Sequence, residues 1–302
     1  MRTELFQSIA SNKRKSALLV FFMLILTVGA GFAIAYAFFG GTVEVGVIGL
    51  AAAFAFSLIM ACISYFSGDM IMLALGHARE ADKVSHQKLY NVVEEISLAA
   101  GLPMPRVFVI DDPAPNAFAT GRNPKNSAVA VTTGLLDRLD RDELQGVIAH
   151  ELSHIGNYDI LYAMMVGVLV GTIVILSDIA WRSMRFRSHG GSRRGGKGAG
   201  LIILIGLVFI ILAPIFATMV QFAISRRREY LADATGAKLS RFPEGLARAL
   251  EKIVGAGPRT AAASRAMQHL YIVNPFRPTK SINALFDTHP PIQDRIARLR
   301  SM

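Results

Sequence analysis

Residues 140–157 read DRDELQGVIAHELSHIGN. Asp140 and Glu143 have the spacing of a capping box, which predicts that a helix begins here. The apolar residues that follow recur at helical spacing, at Leu144, Val147, Ile148, Leu152 and Ile155. Gly156-Asn157 suits the end of that helix. The stretch therefore predicts one capped helix with a buried face.

Within this helix, residues 150–154 form the pattern H-E-x-x-H. His150 and His154 are four residues apart and share a face, so both imidazoles can bind one metal ion. Glu151 lies about 100° further round, within reach of a water molecule at an open coordination position. The pattern arises by chance in roughly one chain in a hundred of this length. A helix that merely contains two histidines therefore remains the alternative at this point.

Composition indicates a membrane protein. The mean hydropathy is +0.41, and 52% of the residues are hydrophobic, which is more than an ordinary soluble domain contains. Uncharged stretches long enough, or nearly long enough, to cross a bilayer lie at residues 16–43, 45–68, 160–177 and 201–225. The first is too long for the apolar part of a signal peptide. We therefore expect an integral membrane protein.

Three single residues add detail to this expectation. Trp181 follows the third stretch as an interfacial anchor, and Pro214 predicts a kink in the fourth. Cys62 is the only cysteine, which excludes an internal disulfide framework and a cysteine-rich metal site.

Basic residues predict the orientation. Arg2 and residues 13–15 precede the first stretch, whereas the connection 40–44 has no basic residue. The positive-inside rule then places the N-terminus and residues 69–159 in the cytoplasm. The loop 181–200 has six basic residues and no acid, so it would lie outside, against the rule, if both neighbouring stretches span. A true hairpin and a hairpin packed on the membrane face of the catalytic domain both remain open.

The third metal ligand is expected downstream, because an open zinc site usually has three protein ligands. Residues 226–236 read RRREYLADATG. Glu229 and Asp233 are four residues apart, so Glu229 could complete a His₂Glu site and Asp233 could accept a hydrogen bond from an imidazole. The alternative is a solvated charged turn whose arginines anchor at lipid headgroups.

Together, these features resemble the HtpX-type membrane metallopeptidases of peptidase family M48, which also contains the Ste24-type CAAX prenyl proteases. The resemblance covers most of the chain, and four hydrophobic stretches match the HtpX group better than the seven spans of the Ste24 group. Besides the N-terminal pair of stretches, it rests on the motifs NAFATG at 116–121, VTTG at 131–134, HELSH at 150–154, SRRREYLAD at 225–233 and THPP at 288–291.

The resemblance implies an α-helical integral membrane protein with a mainly α, α+β gluzincin-like zinc metallopeptidase domain that has a small β-sheet. It implies one Zn²⁺ per chain, bound by His150, His154 and Glu229. It also implies that Glu151 is the general base and that Asp233 supports a ligating imidazole. The expected reaction is peptide hydrolysis.

Two β-type runs, 106–110 and 128–133, are separated by turn-forming residues. Between them, residues 116–120 could form an exposed edge strand to which an extended peptide adds by main-chain pairing. Asn116, Ala117 and Phe118 are therefore candidate substrate contacts, although Asn116 is also typical of a turn. His289 precedes a predicted helix at 292–300; a structural role is the default, and a role near the site is a guess from the resemblance.

We expect four parts. Residues 1–68 form a pair of transmembrane helices and 69–159 the first part of a cytoplasmic catalytic domain. Residues 160–225 form a hydrophobic hairpin with a basic glycine-rich loop, and 226–302 complete the catalytic domain.

The expected partners are the lipid bilayer and polypeptide substrates, above all cytoplasmic regions of damaged or misfolded membrane proteins. No nucleic-acid partner is expected, because no aromatic stacking platform accompanies the basic loop. The sequence does not predict the oligomeric state. A CAAX protease and a non-enzymatic scaffold with a structural zinc remain alternatives.

Overall fold

The computed structural model describes residues 42–165, 226–256, 270–273 and 290–302, together with single positions between 10 and 32. Most of the first and third hydrophobic stretches lie outside these residues. So do the fourth stretch with Pro214, the basic loop with Trp181, and His289.

A single long helix, α1, spans Val43–Leu75. Its 33 residues extend about 50 Å, whereas the apolar core of a bilayer is about 30 Å thick. Among the described residues it is the one helix that is long and apolar enough to cross a membrane. Only 6% of its most apolar segment is buried within the protein. The predicted stretch 45–68 is thus helical, but the helix continues through Asp69, and Met72 and Leu73 near its end are buried in the folded domain.

Four strands form a small mixed sheet. β1 (Arg79–Glu80), β2 (Arg106–Ile110), β3 (Ala117–Asn123) and β4 (Asn126–Thr132) lie in the order β1-β2-β4-β3. β2 and β4 are parallel, and the other two pairs are antiparallel. Both predicted β-runs are confirmed, except that Thr133 begins a helix. β3 is an edge strand, as predicted, but the expectation that residues 116–120 are exposed was wrong, because they are buried.

Successive side chains of each strand point to opposite faces of the sheet, and both faces are apolar. Val107, Val129 and Ala117 face the core shared with the helices that follow in the chain. Phe108 and Phe118 face the other side, where the end of α1 contributes Met72 and Leu73. The sheet therefore lies between these helices and the end of α1.

The remaining helices cover one face of the sheet. They are α2 (Gln87–Ala100), α3 (Thr133–Arg138), α4 (Arg141–Gly156), α5 (Arg226–Ser240), α6 (Pro243–Gly255) and α7 (Ile292–Arg300). Ahead of α2, the Asp82 carboxylate accepts a hydrogen bond from the backbone N–H of Ser85 at 2.7 Å, which forms a turn.

Helix α4 has the predicted ends. The Asp140 carboxylate accepts from the Glu143 N–H, and the Glu143 carboxylate accepts from the Asp140 N–H, each at 2.9 Å. This reciprocal capping box satisfies two donors that the helix itself leaves free. Asn157 caps the C-terminus, and Tyr158 follows in the left-handed conformation with φ of 60°. The chain turns there and becomes helical again at 159–165.

Candidate metal centre and active site

Helix α4 brings the two motif histidines together. The Nε2 atoms of His150 and His154 are 3.2 Å apart, and the two rings are nearly perpendicular. His150 is buried, whereas His154 is partly exposed. Two ring nitrogens aimed at one point are the arrangement expected for ligands of a single ion.

Helix α5 supplies the third group because it approaches α4 very closely. At Gly236, a Cβ atom would lie 2.9 Å from the backbone nitrogen of His150, so only glycine permits this approach. The contact brings Glu229, two turns earlier on α5, to the histidines. Its carboxylate oxygens lie 3.8 Å from His150 Nε2 and 3.6 Å from His154 Nε2.

This group of atoms fits a zinc ion. Ligand atoms of the two histidines and Glu229 all lie within 4.8 Å of one another. A tetrahedral zinc with bonds of about 2.05 Å separates its ligand atoms by roughly 3.3 Å, close to the 3.2 to 3.8 Å observed here. Neutral imidazoles and a carboxylate are also the donor types of open zinc sites.

Asp233 contacts the buried histidine. Its Oδ1 lies 2.9 Å from His150 Nδ1, and the Arg295 guanidinium donates two hydrogen bonds of 2.7 and 2.8 Å to the same carboxylate. Burial by itself raises the pKa of Asp233, but the charge of Arg295 and the hydrogen bonds outweigh it and lower the pKa to about 2. Asp233 is therefore a fixed anion that holds His150 with Nε2 toward the other ligands.

His154 has a carboxylate partner of its own. The turn at Tyr158 directs Asp159 back toward α4, and Asp159 Oδ2 lies 3.1 Å from His154 Nδ1. Burial alone would lower the pKa of His154. The hydrogen bond with Asp159 and the charge of Glu229 more than offset this effect and raise the pKa to about 9. A metal ion would therefore have to displace a proton from Nε2 of His154, the nitrogen that faces His150 and Glu229.

Glu151 is buried in the wall of the same cavity, on the side of β3. Burial raises its pKa to about 7, against the charge of His154 and a hydrogen bond donated by the Ala119 N–H. A bound cation would lower this pKa again. The carboxylate can therefore take up and release a proton near neutral pH, as a general base requires.

The predicted substrate contacts lie beside the cavity. The Asn116 side chain donates to the Val273 carbonyl at 2.9 Å, and the Ala117 carbonyl accepts from the Ile272 N–H at 3.0 Å. Phe118 points to the opposite face of the sheet, against the Tyr271 ring. The strand residue that lines the cavity is Ala119.

Sequence reasoning missed four groups at the site. Arg295 is fully buried, and its Nη1 lies 3.5 Å from Glu229 Oε2 in addition to the bonds with Asp233. Asp159, Arg228 and Ala119 were also not identified. An arginine on the apolar face of α7, between Ile292 and Ile296, was the one available signal. The other three depend on turns and packing that no local pattern encodes.

The cavity between these groups is small, with a volume of about 40 Å³, and it opens to solvent. Its remaining wall is formed by residues of the 159–165 helix, by Arg228 and by the segment 270–272. The ligands, the candidate base and the edge of β3 therefore face one common space.

Comparisons with known proteins show the family to which the chain belongs. A sequence model described as "Peptidase family M48" matches residues 83–302. A "Protease HtpX homolog" of Dictyoglomus thermophilum is 46% identical over 297 residues, which cover 98% of this chain and 94% of the relative. A protein of the same description from Lactobacillus acidophilus is 47% identical over 307 residues, covering 99% and 100%.

A crystal structure of S. mikatae Ste24p matches with a TM-score of 0.50 and 18% identity, covering 97% of this chain and 67% of that one. At this identity the likeness concerns the fold alone. The relatives above are named HtpX homologues, so the comparisons do not favour the CAAX alternative. The chain is a membrane-bound metalloprotease and belongs to peptidase family M48, among its HtpX-type proteases.

Proposed function

We propose that the chain is a zinc endopeptidase in which His150, His154 and Glu229 bind the metal and Glu151 is the general base. The observation that supports this most is the convergence of three ligand atoms within 4.8 Å on a cavity that Glu151 also lines. A closed structural site would need a fourth protein ligand and would have no use for a buried base beside it.

A zinc ion held there would act as a Lewis acid that strengthens the acidity of water and polarises the scissile carbonyl. The chain's own residues perform the proton transfers. Glu151 takes a proton from the attacking water and passes it to the leaving amine. The Ala119 N–H fixes the orientation of this carboxylate. Burial of the Glu151 carboxylate favours its protonated form, which helps this group to hold the proton between the two transfers.

We place the substrate strand along β3 from Ala119 onward. The earlier part of this edge is paired within the chain, because Ile272 donates to Ala117 and the Asn116 side chain holds Val273. Asn116, Ala117 and Phe118 then support the substrate edge, and Ala119 contacts the peptide backbone. Main-chain pairing of this kind requires little of the substrate sequence. A contribution of His289 near the site stays a prediction.

We propose a multi-pass topology with the catalytic domain in the cytoplasm and with parts at 1–68, 69–159, 160–225 and 226–302. The Arg228 guanidinium lies 4.9 Å from the centre of the Tyr162 ring. The two segments that flank residues 166–225 thus lie close together. This proximity supports a hairpin between them. The substrates we propose are cytoplasmic regions of membrane proteins, above all damaged ones.

The test is cleavage of a model membrane protein by the full chain in the same bilayer. Glu151→Gln should still bind one zinc per chain but lose at least about a hundredfold in turnover. Glu94→Gln removes an exposed carboxylate and should cleave like the wild type. A chelator should abolish cleavage, and added zinc should restore it. Wild-type turnover by Glu151→Gln, or cleavage indifferent to the chelator, would contradict the proposal.

A further inference from the structure

A second open site lies where α1 enters the folded domain. We call it the membrane-proximal groove and define it by Tyr65, Arg122, Pro124, Lys125, Tyr158 and Leu161. The groove has a volume of about 620 Å³, which lies within the range of small-molecule sites. None of them belongs to the catalytic cavity.

The position of the groove along α1 corresponds to the membrane surface. Residues 45–68 contain no charged side chain, and Asp69 is the first that follows. These 24 residues extend about 36 Å, slightly more than the apolar core of a bilayer. Tyr65 and Phe66 lie in the last turn of this stretch, are 39% and 62% exposed, and contact each other edge to face. Aromatic side chains of this kind are typical of the headgroup level.

Arg122 is held at this level by a local irregularity of the sheet. The β3–β4 register shifts between Gly121 and Asn123, and Gly121 has φ of 135° with no room for a Cβ beside Asn126. Such a bulge re-aims the side chain beside it. The Arg122 guanidinium lies 5.6 Å from the Tyr65 ring centre and 5.1 Å from that of Phe66, and donates to the Phe66 carbonyl at 3.3 Å.

The positive charge of the groove is not neutralised by the chain where the structure describes it. Arg106, near the same end of α1, is paired with Asp69. Arg122 and Lys125 have no carboxylate partner among the described residues, and Lys125 is exposed at the tip of the β3–β4 hairpin. Two unneutralised cations at the headgroup level attract anionic lipid.

The opposite wall of the groove is also built for an amphipathic ligand. Tyr158 is held in the left-handed conformation, which is uncommon for a bulky residue and marks a position fixed by its surroundings. Leu161 follows at the start of the third hydrophobic stretch. Gly68 of α1 packs directly against Met164 of the same segment, where a Cβ would be 2.8 Å from the sulfur. The two membrane-directed segments therefore meet at the groove.

We propose that the membrane-proximal groove binds the phosphate headgroup of an anionic phospholipid in the leaflet next to the catalytic domain. Arg122 and Lys125 contact the phosphate, and Tyr65 and Leu161 contact the first part of the acyl chains. Neither the metal nor the general base takes part, so this inference is independent of the proposed cleavage reaction.

The full chain in detergent can be titrated with dioleoyl phosphatidylglycerol or dioleoyl phosphatidylcholine and the bound lipid counted by native mass spectrometry. The wild type should prefer phosphatidylglycerol for the first bound lipid. Each basic residue should contribute roughly fivefold, so Arg122→Gln with Lys125→Gln should lose roughly twenty-fivefold of that preference. Lys83→Gln removes an exposed lysine outside the groove and should change nothing.

Two further arms separate lipid binding from a loss of folding and from binding of free phosphate. The variant Arg122→Lys with Lys125→Arg keeps both charges and should retain the preference for phosphatidylglycerol. If the glutamine variant does not fold, this charge-conserving variant tests whether the two charges determine the preference. Inorganic phosphate at about 10 mM should not displace the lipid, because the acyl chains contribute to binding. Equal binding of the two lipids by the wild type, an unchanged preference in the glutamine variant, or full displacement by phosphate would overturn the proposal.

Discussion

The two histidines of the candidate metal centre have matching partners in different surroundings. His150 contacts Asp233, which Arg295 neutralises; we call Asp233 and Arg295 the buried pair. His154 contacts Asp159, which lies near Arg228; we call Asp159 and Arg228 the cavity pair. In the buried pair two hydrogen bonds of 2.7 and 2.8 Å join the partners. In the cavity pair the nearest atoms are 3.6 Å apart, at the wall of the active-site cavity.

This difference indicates that the two pairs have different roles. The buried pair joins α5 to α7 and, through His150, to α4, so it holds together the helices that provide the ligands. The cavity pair forms between a turn and the start of α5, where water can reach it. The side chains of the buried pair are at most 2% exposed, whereas those of Arg228 and Asp159 are 13% and 10% exposed. Water can therefore solvate the cavity pair in part, and loss of one partner should cost less there. We therefore expect the buried pair to determine folding and the cavity pair to adjust the metal site.

The largest effect is expected from Arg295→Met. This change removes the positive charge that faces the buried carboxylates of Asp233 and Glu229. The loss should lower the free energy of unfolding by about 3 to 5 kcal/mol. Thermal unfolding of the full chain in detergent measures the loss. The matched control is Arg298→Met, one turn away on α7 and exposed. A loss no greater than that of the control would show that the buried pair does not stabilise the fold.

Replacement of Asp233 should weaken zinc binding more than replacement of Asp159. Residues that orient a ligating imidazole typically contribute 10- to 100-fold in metal affinity. We expect Asp233→Asn to weaken zinc binding by about a hundredfold and Asp159→Asn by about tenfold, because only Asp159 can be replaced in part by water. Competition with a chromogenic chelator measures both constants. The reverse order would reject the division of tasks.

The pH dependence of the metal-free protein should come from the cavity pair. The folded pKa of His154 is raised to about 9, above its ordinary value of about 6.5. The stability that this protonated histidine adds is complete below pH 6.5 and is lost as the pH rises through 9. His150 contributes nothing of this kind, since burial lowers its pKa.

Unfolding of the metal-free protein between pH 6.5 and 9 tests this expectation. The wild type should lose stability across that range, and Asp159→Asn should flatten the slope. A slope that persists unchanged in Asp159→Asn would assign it to another group.

The smallest effect is expected from the cap of α4, which bears both histidines. Asp140→Ala removes one bond of the capping box and should cost about 1 kcal/mol in free energy of unfolding. Asp142→Ala, an exposed first-turn residue that caps nothing, is the control. Zinc affinity should fall equally little in both. A selective loss of zinc binding in Asp140→Ala would mean that the cap also sets the metal geometry.

Local patterns were enough to predict α4, the two inner strands and the three residues 150, 151 and 154 that line one cavity. Each depends on contacts within one helical turn or on the period of a strand. Glu229 was predicted as a ligand from the family resemblance, because its approach to the histidines depends on the packing of α5 against α4. Arg295 could not be placed, because its role depends on a helix 62 residues from Asp233 folding back onto it. The covered edge of β3 was missed for the same reason, since Ile272 and Val273 come from far along the chain.

The second face of the sheet has a practical consequence. The family match begins at residue 83, yet Phe108, Phe118 and their neighbours on that face pack against Met72 and Leu73 of α1. A protein shortened to the matched region would expose this apolar face to water and tend to aggregate. The end of the membrane helix is thus part of the peptidase domain.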